Sequence, residues 1–196
     1  MRRLETGRSR VLLTLACLTA LALVALPATA KKQRDDDADG KMIEFSKDDA
    51  RGELLPDKAL VYVMRPASIG VLVKTWAFID DEVLGANKAS SYFFVHVDPG
   101  KRTFWSKMEN VDAVGLELEP GKAYFLQQHL RMGWTKARTK IEVLDEGKGE
   151  KVLARCKKRA TLTEVGQTRG AELVVESRDE LRADLARDAE RETDER

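Results

Sequence analysis

A chain of 196 residues with 34 basic and 33 acidic side chains, at a formal charge of +1, has no electrostatic bias that would draw it to nucleic acid. Its length suits one domain with a core of its own plus charged tails. Two cysteines, Cys17 and Cys156, exclude a scaffold held together by disulfides.

Residues 1–30 read as a secretory signal. Arg2, Arg3, Arg8 and Arg10 form a basic n-region, Val11 to Leu26 an apolar run, and Ala28-Thr29-Ala30 a small-residue cleavage site. The apolar run falls short of the roughly 20 residues that a spanning helix needs, so no transmembrane span is expected after cleavage following Ala30. The expected location is therefore periplasmic or secreted. An alternative makes Cys17 the lipidated residue of a lipoprotein. Thr14-Leu15-Ala16 departs from the usual preceding triplet, however, and cleavage there would leave Leu18 to Ala30 as an apolar mature end. Cys156 has cationic neighbours, Lys157, Lys158 and Arg159, that could activate a thiol. Packing on a helix face as a small apolar residue is the simpler reading.

Residues 31–56 read as a charged, largely disordered leader around Asp35-Asp36-Asp37-Ala38-Asp39. Within it, Met42 to Phe45 is an edge strand or a hook onto the domain, and Ser46 to Arg51 one helical turn. The β domain is expected over 57–160. Ala59 to Met64 is a continuous apolar run that needs cover on both faces, and Pro66 to Val73 is a loop or a bulged edge. Strands follow at 74–79, 83–85 and 90–97. In the last of these Phe93, Val95 and Val97 face one way while Tyr92, Phe94 and His96 face the other.

Val97-Asp98-Pro99-Gly100-Lys101 is echoed at Leu118-Glu119-Pro120-Gly121-Lys122. Proline presets φ at the second turn position and glycine accepts a positive φ at the third, so two tight corners bracket a strand pair at 101–108 and 114–118. Lys122 to Met132 places Tyr124, Leu126, Gln128 and Leu130 on one face. Trp134 to Leu144 turns Thr139, Ile141 and Val143 inward and Lys136, Arg138, Lys140 and Glu142 outward. The expected fold is all-β: an antiparallel β-sandwich of about seven to eight strands, with a short helix at 148–158 capping a sheet edge. Residues 161–196 read as a linker, Thr161 to Gly170, followed by a charged, solvated helix with few apolar anchors.

His96 and His129 are the two histidines. They could share a metal if their strands stacked, but no third ligand stands at a zinc-like spacing, so structural roles are expected and an envelope enzyme built on them is the alternative reading. No Gly-x-Ser-x-Gly elbow, phosphate loop or dinucleotide fingerprint is present. No catalytic residue, metal or cofactor is assigned. The sharper candidate is a surface for an anionic ligand at Arg131, Trp134, Lys136, Arg138 and Lys140: cations along one strand face with a tryptophan at its end.

Taken together, Ala59-Leu60-Val61-Tyr62-Val63-Met64-Arg65-Pro66, Phe78-Ile79-Asp80, Ser91-Tyr92-Phe93, and the two Pro-Gly corners with Ala123-Tyr124 resemble a family of bacterial envelope domains of unknown function, similar in style to PEGA-type surface modules, over about residues 57–145. The resemblance implies a β-sandwich in an exported, often lipid-anchored protein and carries over no catalytic residues. Asp81-Glu82 departs from the Asp-Gly hairpin such domains commonly have. The expected function is a non-catalytic binding or structural module of the cell envelope, with an envelope protein, a glycan or a lipid head group as partner.

Overall fold

The computed structural model describes residues 42–132 and 137–194. The signal-like segment, Cys17, the aspartate-rich stretch, Trp134 and Lys136 lie outside the described residues. The strands are β1 (Ile43–Ser46), β2 (Ala59–Arg65), β3 (Thr75–Ile79), β4 (Glu82–Asn87), β5 (Ser91–Val97), β6 (Gly100–Lys107), β7 (Val111–Leu118), β8 (Ala123–Met132), β9 (Ala137–Leu144) and β10 (Lys158–Leu162). Two helices, α1 (Glu146–Leu153) and α2 (Glu164–Asp194), complete the described chain.

The strands form a six-stranded sheet in the order β1-β10-β5-β2-β8-β9 and a four-stranded sheet in the order β4-β3-β6-β7. Strict alternation explains how they meet. In β2, Ala59, Val61 and Val63 enter an apolar core shared with Ala77, Ile79, Phe104 and Leu118 of the smaller sheet. Leu60, Tyr62 and Met64 point the opposite way, to a second core with Tyr92, Phe125, Leu153 and Cys156 under α1. The both-faced burial expected for β2 is met in this way.

The outer face of the smaller sheet carries Trp76, Phe78 and Trp105, with Phe78 and Trp105 stacked at 3.9 Å between ring centroids. So large an aromatic surface needs cover, and Leu173 and Val174 of α2 supply it. The helix lies close because a Cβ at Gly170 would come within 2.5 Å of the Val83 side chain.

Several expectations change. Ten strands are found among the described residues, and two pairings, β2 with β8 and β10 with β5, are parallel. The linker expected at 161–170 is the end of β10 and the first turns of α2, which packs on the sheet instead of lying solvated. Ser46 to Arg51 is not a helical turn. The Tyr92 hydroxyl donates to Ala50 O at 2.7 Å and Gly52 N donates to the Tyr62 hydroxyl at 2.9 Å, which holds this stretch across the sheet. The short helix covers a sheet face, with Gly149 against Phe125, and not an edge. Val143 shares the inward face with Leu126, which it stands opposite, but is 37% exposed. The edge of β9 is protected differently: Asn110 and Asp112 side chains accept from Thr139 N at 2.8 Å and Ile141 N at 2.7 Å.

Both Pro-Gly corners hold glycine at positive φ, 118° at Gly100 and 71° at Gly121, where a Cβ would be strained. They do bracket an antiparallel pair, from Gly100 opposite Leu118 to Lys107 opposite Val111. Each corner also moves the chain from one sheet to the other. The apolar core gathers toward this end of the fold.

Candidate functional site

The opposite end of the space between the sheets is polar. Inward alternation in β2 continues past Val63 to Arg65, and in β8 past Leu126 to Gln128. Gln128 accepts from Asn87 at 3.0 Å and donates to Ser106 Oγ at 2.9 Å and Trp76 O at 3.0 Å. Ser91 donates to Asn87 at 2.8 Å, and Ser106 lies 2.9 Å from Thr139 Oγ1. These five side chains are buried, and each finds its partners among the others or in nearby backbone. They tie both sheets together at fixed register.

Arg65 is wholly buried beside this network, and among the described residues no carboxylate partners it. Its guanidinium donates to the carbonyls of Ile69 at 3.0 Å and Gly70 at 2.9 Å, to Val73 O, and at 3.5 Å to Asn87 O, while Nε finds no partner among the described residues. Burial pulls its pKa down to about 10, which still leaves it charged near neutral pH. One side chain thereby gathers the backbone of the 66–74 loop.

On the outside of this end lies the cationic candidate. In β8 and β9 the outward residues are Gln127, His129 and Arg131, and Arg138, Lys140 and Glu142. Arg131 stands directly opposite Arg138, and His129 opposite Lys140. Arg131, Arg138 and Lys140 are exposed. The neighbouring carboxylate, Glu142, is taken by His129 Nε2 at 2.8 Å. Like charges facing each other across a strand pair are unfavourable. Trp134 and Lys136, the remaining members of the sequence-derived surface, fall outside the described residues.

The histidines are not brought together. His96 pairs through Leu60 with Ala123, at the far end of β8 from His129, which puts roughly 20 Å of strand between them at about 3.3 Å per residue. They cannot share a metal, and no group of three metal-ligating side chains occurs among the described residues. His96 Nε2 contacts Glu53 O at 2.7 Å and borders a cavity of about 410 Å³ with Asp80, Asp81, Glu82, Asp98 and Arg102. Two of those carboxylates already have structural partners: Asp80 accepts from Thr103 N at 2.9 Å and Arg102 at 3.2 Å, and Asp98 pairs with Lys58 at 2.5 Å.

Cys156 lies buried under α1, and burial pushes its thiol up to about 12. The cationic neighbours do not activate it. Sequence reasoning missed Arg65 and the Asn87–Gln128 network as organising groups. The available signal was a polar residue standing where the alternation demanded an apolar one.

No family model matches the sequence. A protein of Haemophilus influenzae described as an uncharacterized protein is 26% identical over 97 residues, covering 48% of this chain and 57% of its own length. The matched segment is therefore little more than half of that relative. Among the described residues no helix is long and apolar enough to cross a membrane.

Proposed function

We propose that this protein is an exported, non-catalytic β-sandwich module of the bacterial envelope, and that the outer face of β8 and β9 binds an anionic ligand. The signal-like pattern of residues 1–30 supports export, and the two sheets sharing a core support the sandwich reading. The PEGA-like resemblance points the same way. One observation carries the binding reading: Arg131 faces Arg138, Lys140 follows two residues on in β9 and is diagonal to Arg131 at roughly 7–8 Å, and the carboxylate on this face, Glu142, is engaged by His129. Two opposed guanidinium forks match carboxylate, sulfate or phosphate oxygens better than they match each other. An anionic glycan, a lipid head group or an acidic envelope protein would each fit this chemistry.

The test is salt elution from immobilised anionic envelope material. Replacing Arg131, Arg138 and Lys140 together with Gln should bring elution to clearly lower salt. The same charge removed elsewhere, at exposed Lys101, Arg155 and Lys157, should have a much smaller effect. Equal shifts for the two triple variants would reduce the face to ordinary surface charge and end the proposal.

A further inference from the structure

We infer that the Ile69–Leu72 segment is a membrane-inserting tip, and that the end of the fold carrying it docks on a bilayer rich in anionic phospholipid. This rests on the anionic-ligand reading above and names its source. Ile69, Val71 and Leu72 are 63%, 61% and 77% exposed within one short loop. Scattered apolar residues on a surface need no explanation, but three on one ordered tip mark a contact.

The tip is built for lipid more than for a protein groove. Its carbonyls at Ile69, Gly70 and Val73 are already accepting from Arg65, and Val73 N donates to Gly70 O at 3.0 Å. Those carbonyls would carry their donor with them into an apolar phase, where a stranded backbone group is the main cost of burying a loop. The tip offers no aromatic or arginine anchor of the kind that dominates protein interfaces.

Charge completes the match. Gly70 lies over Leu130, with a Cβ there only 2.5 Å from Leu130 Cδ2, and Leu130 immediately precedes Arg131 in β8. The apolar tip and the Arg131–Arg138 pair thus occupy one end of the molecule. Lys74 follows the tip, its Nζ 5.9 Å from the centroid of the Trp76 ring. Aliphatic side chains flanked by cations suit the boundary between anionic head groups and acyl chains. Such binding is reversible, as only three side chains enter.

The experiment uses the compact unit Asp35–Arg196, which contains every described strand and all three apolar cores and lacks the apolar run at 11–26. It is sedimented with vesicles of phosphatidylcholine alone and with phosphatidylglycerol mixed in. Wild type should bind the mixed vesicles only. Ile69→Ser with Leu72→Ser should weaken that binding by on the order of tenfold per side chain, with unchanged thermal midpoint and unchanged elution from a soluble anionic polysaccharide. Arg131→Gln with Arg138→Gln should weaken both by about fivefold per charge at low salt. Tip variants that bind mixed vesicles as wild type does would overturn the insertion and leave the anionic reading standing. Wild type that ignores vesicles but is held by the polysaccharide or by an acidic envelope protein would do the same. Arginine variants that elute from the polysaccharide like wild type would instead remove the reading underneath.

Discussion

Replacing Arg65 with Met keeps most of the side chain's volume and deletes every donor, which makes it the sharpest probe of how this end of the fold is held. Three loop carbonyls, at Ile69, Gly70 and Val73, would lose a charged donor. Hydrogen bonds to charged groups contribute about 1.5–3 kcal/mol each, so the gross loss is roughly 4.5–9 kcal/mol. Against it stands the cost of the buried charge: a pKa lowered from 12.5 to about 10 corresponds to about 3 kcal/mol. Some of the loop carbonyls can also turn to water. The net expectation is a destabilisation of about 2–4 kcal/mol, felt first in the loop, in a domain whose whole margin is of order 5–15 kcal/mol. Urea unfolding gives the global figure. Amide exchange at Val73, whose N–H donates to Gly70 O, gives the local one. Arg65→Lys should fall between, because a single ammonium cannot span acceptors that a guanidinium fork reaches together. An Arg65→Met protein at least as stable as wild type, with Val73 still protected, would refute the reasoning. It would mean that relieving the buried charge outweighs the bonds it makes, as happens for some buried ion pairs.

Three further predictions test other parts of the structure. Gly149→Ala should destabilise by about 1–3 kcal/mol despite alanine's better helix propensity, since its Cβ would sit 2.2 Å from Phe125 Cγ; a raised melting temperature would show that α1 does not pack as described. Cys156 should react with maleimide at pH 8 only as fast as the protein unfolds, and prompt labelling of native protein would contradict its burial. Because burial raises the thiol pKa from 9.0 to about 12, the unfolded chain ionises first; this contribution is whole below pH 9 and is lost as pH climbs toward 12, which alkaline melting curves can follow. Asp48 is gripped by Arg159 at 3.0 and 2.9 Å, and that hydrogen bonding, with Ser46 adding to it, holds its carboxyl well below the usual range. Its contribution is present above the ordinary aspartate pKa of about 3.9 and disappears as pH falls below it, so exchange at Phe45 in β1 should rise in acid for wild type and lose that pH dependence in Asp48→Asn.

Much of the larger layout was legible because its causes are local. A Pro-Gly pair demands a positive φ wherever the chain goes next, and Gly100 and Gly121 adopt it. Alternation in β5 and β8 assigned faces correctly for Phe93, Tyr92, Leu126 and Gln128, because the period of two is a property of the strand itself. Where the reading failed, the deciding contact was distant. Lys158–Leu162 has too little apolar character to announce a strand, yet it sits between β1 and β5 with Ala160 in a core. Gly166 and Gly170 look like helix breakers along the chain. In the fold they let α2 approach Met42 and Val83. Arg131 and Arg138 were visible as cations, but their standing opposite each other depends on the β8–β9 register.

The sequence by itself determined where this chain turns, which side chains share a strand face, and which cations could gather on β9. It did so because backbone sterics and side-chain alternation act within a few residues. Only the tertiary structure decided that both corners change sheets, that β2 and β8 run parallel, that α2 covers the Trp76, Phe78 and Trp105 surface, and that Arg65 gathers the Ile69–Leu72 tip beside the Arg131–Arg138 pair. Each of those is a choice of partner among surfaces of similar chemistry, made by how whole layers fit and not by any residue's neighbours in the chain.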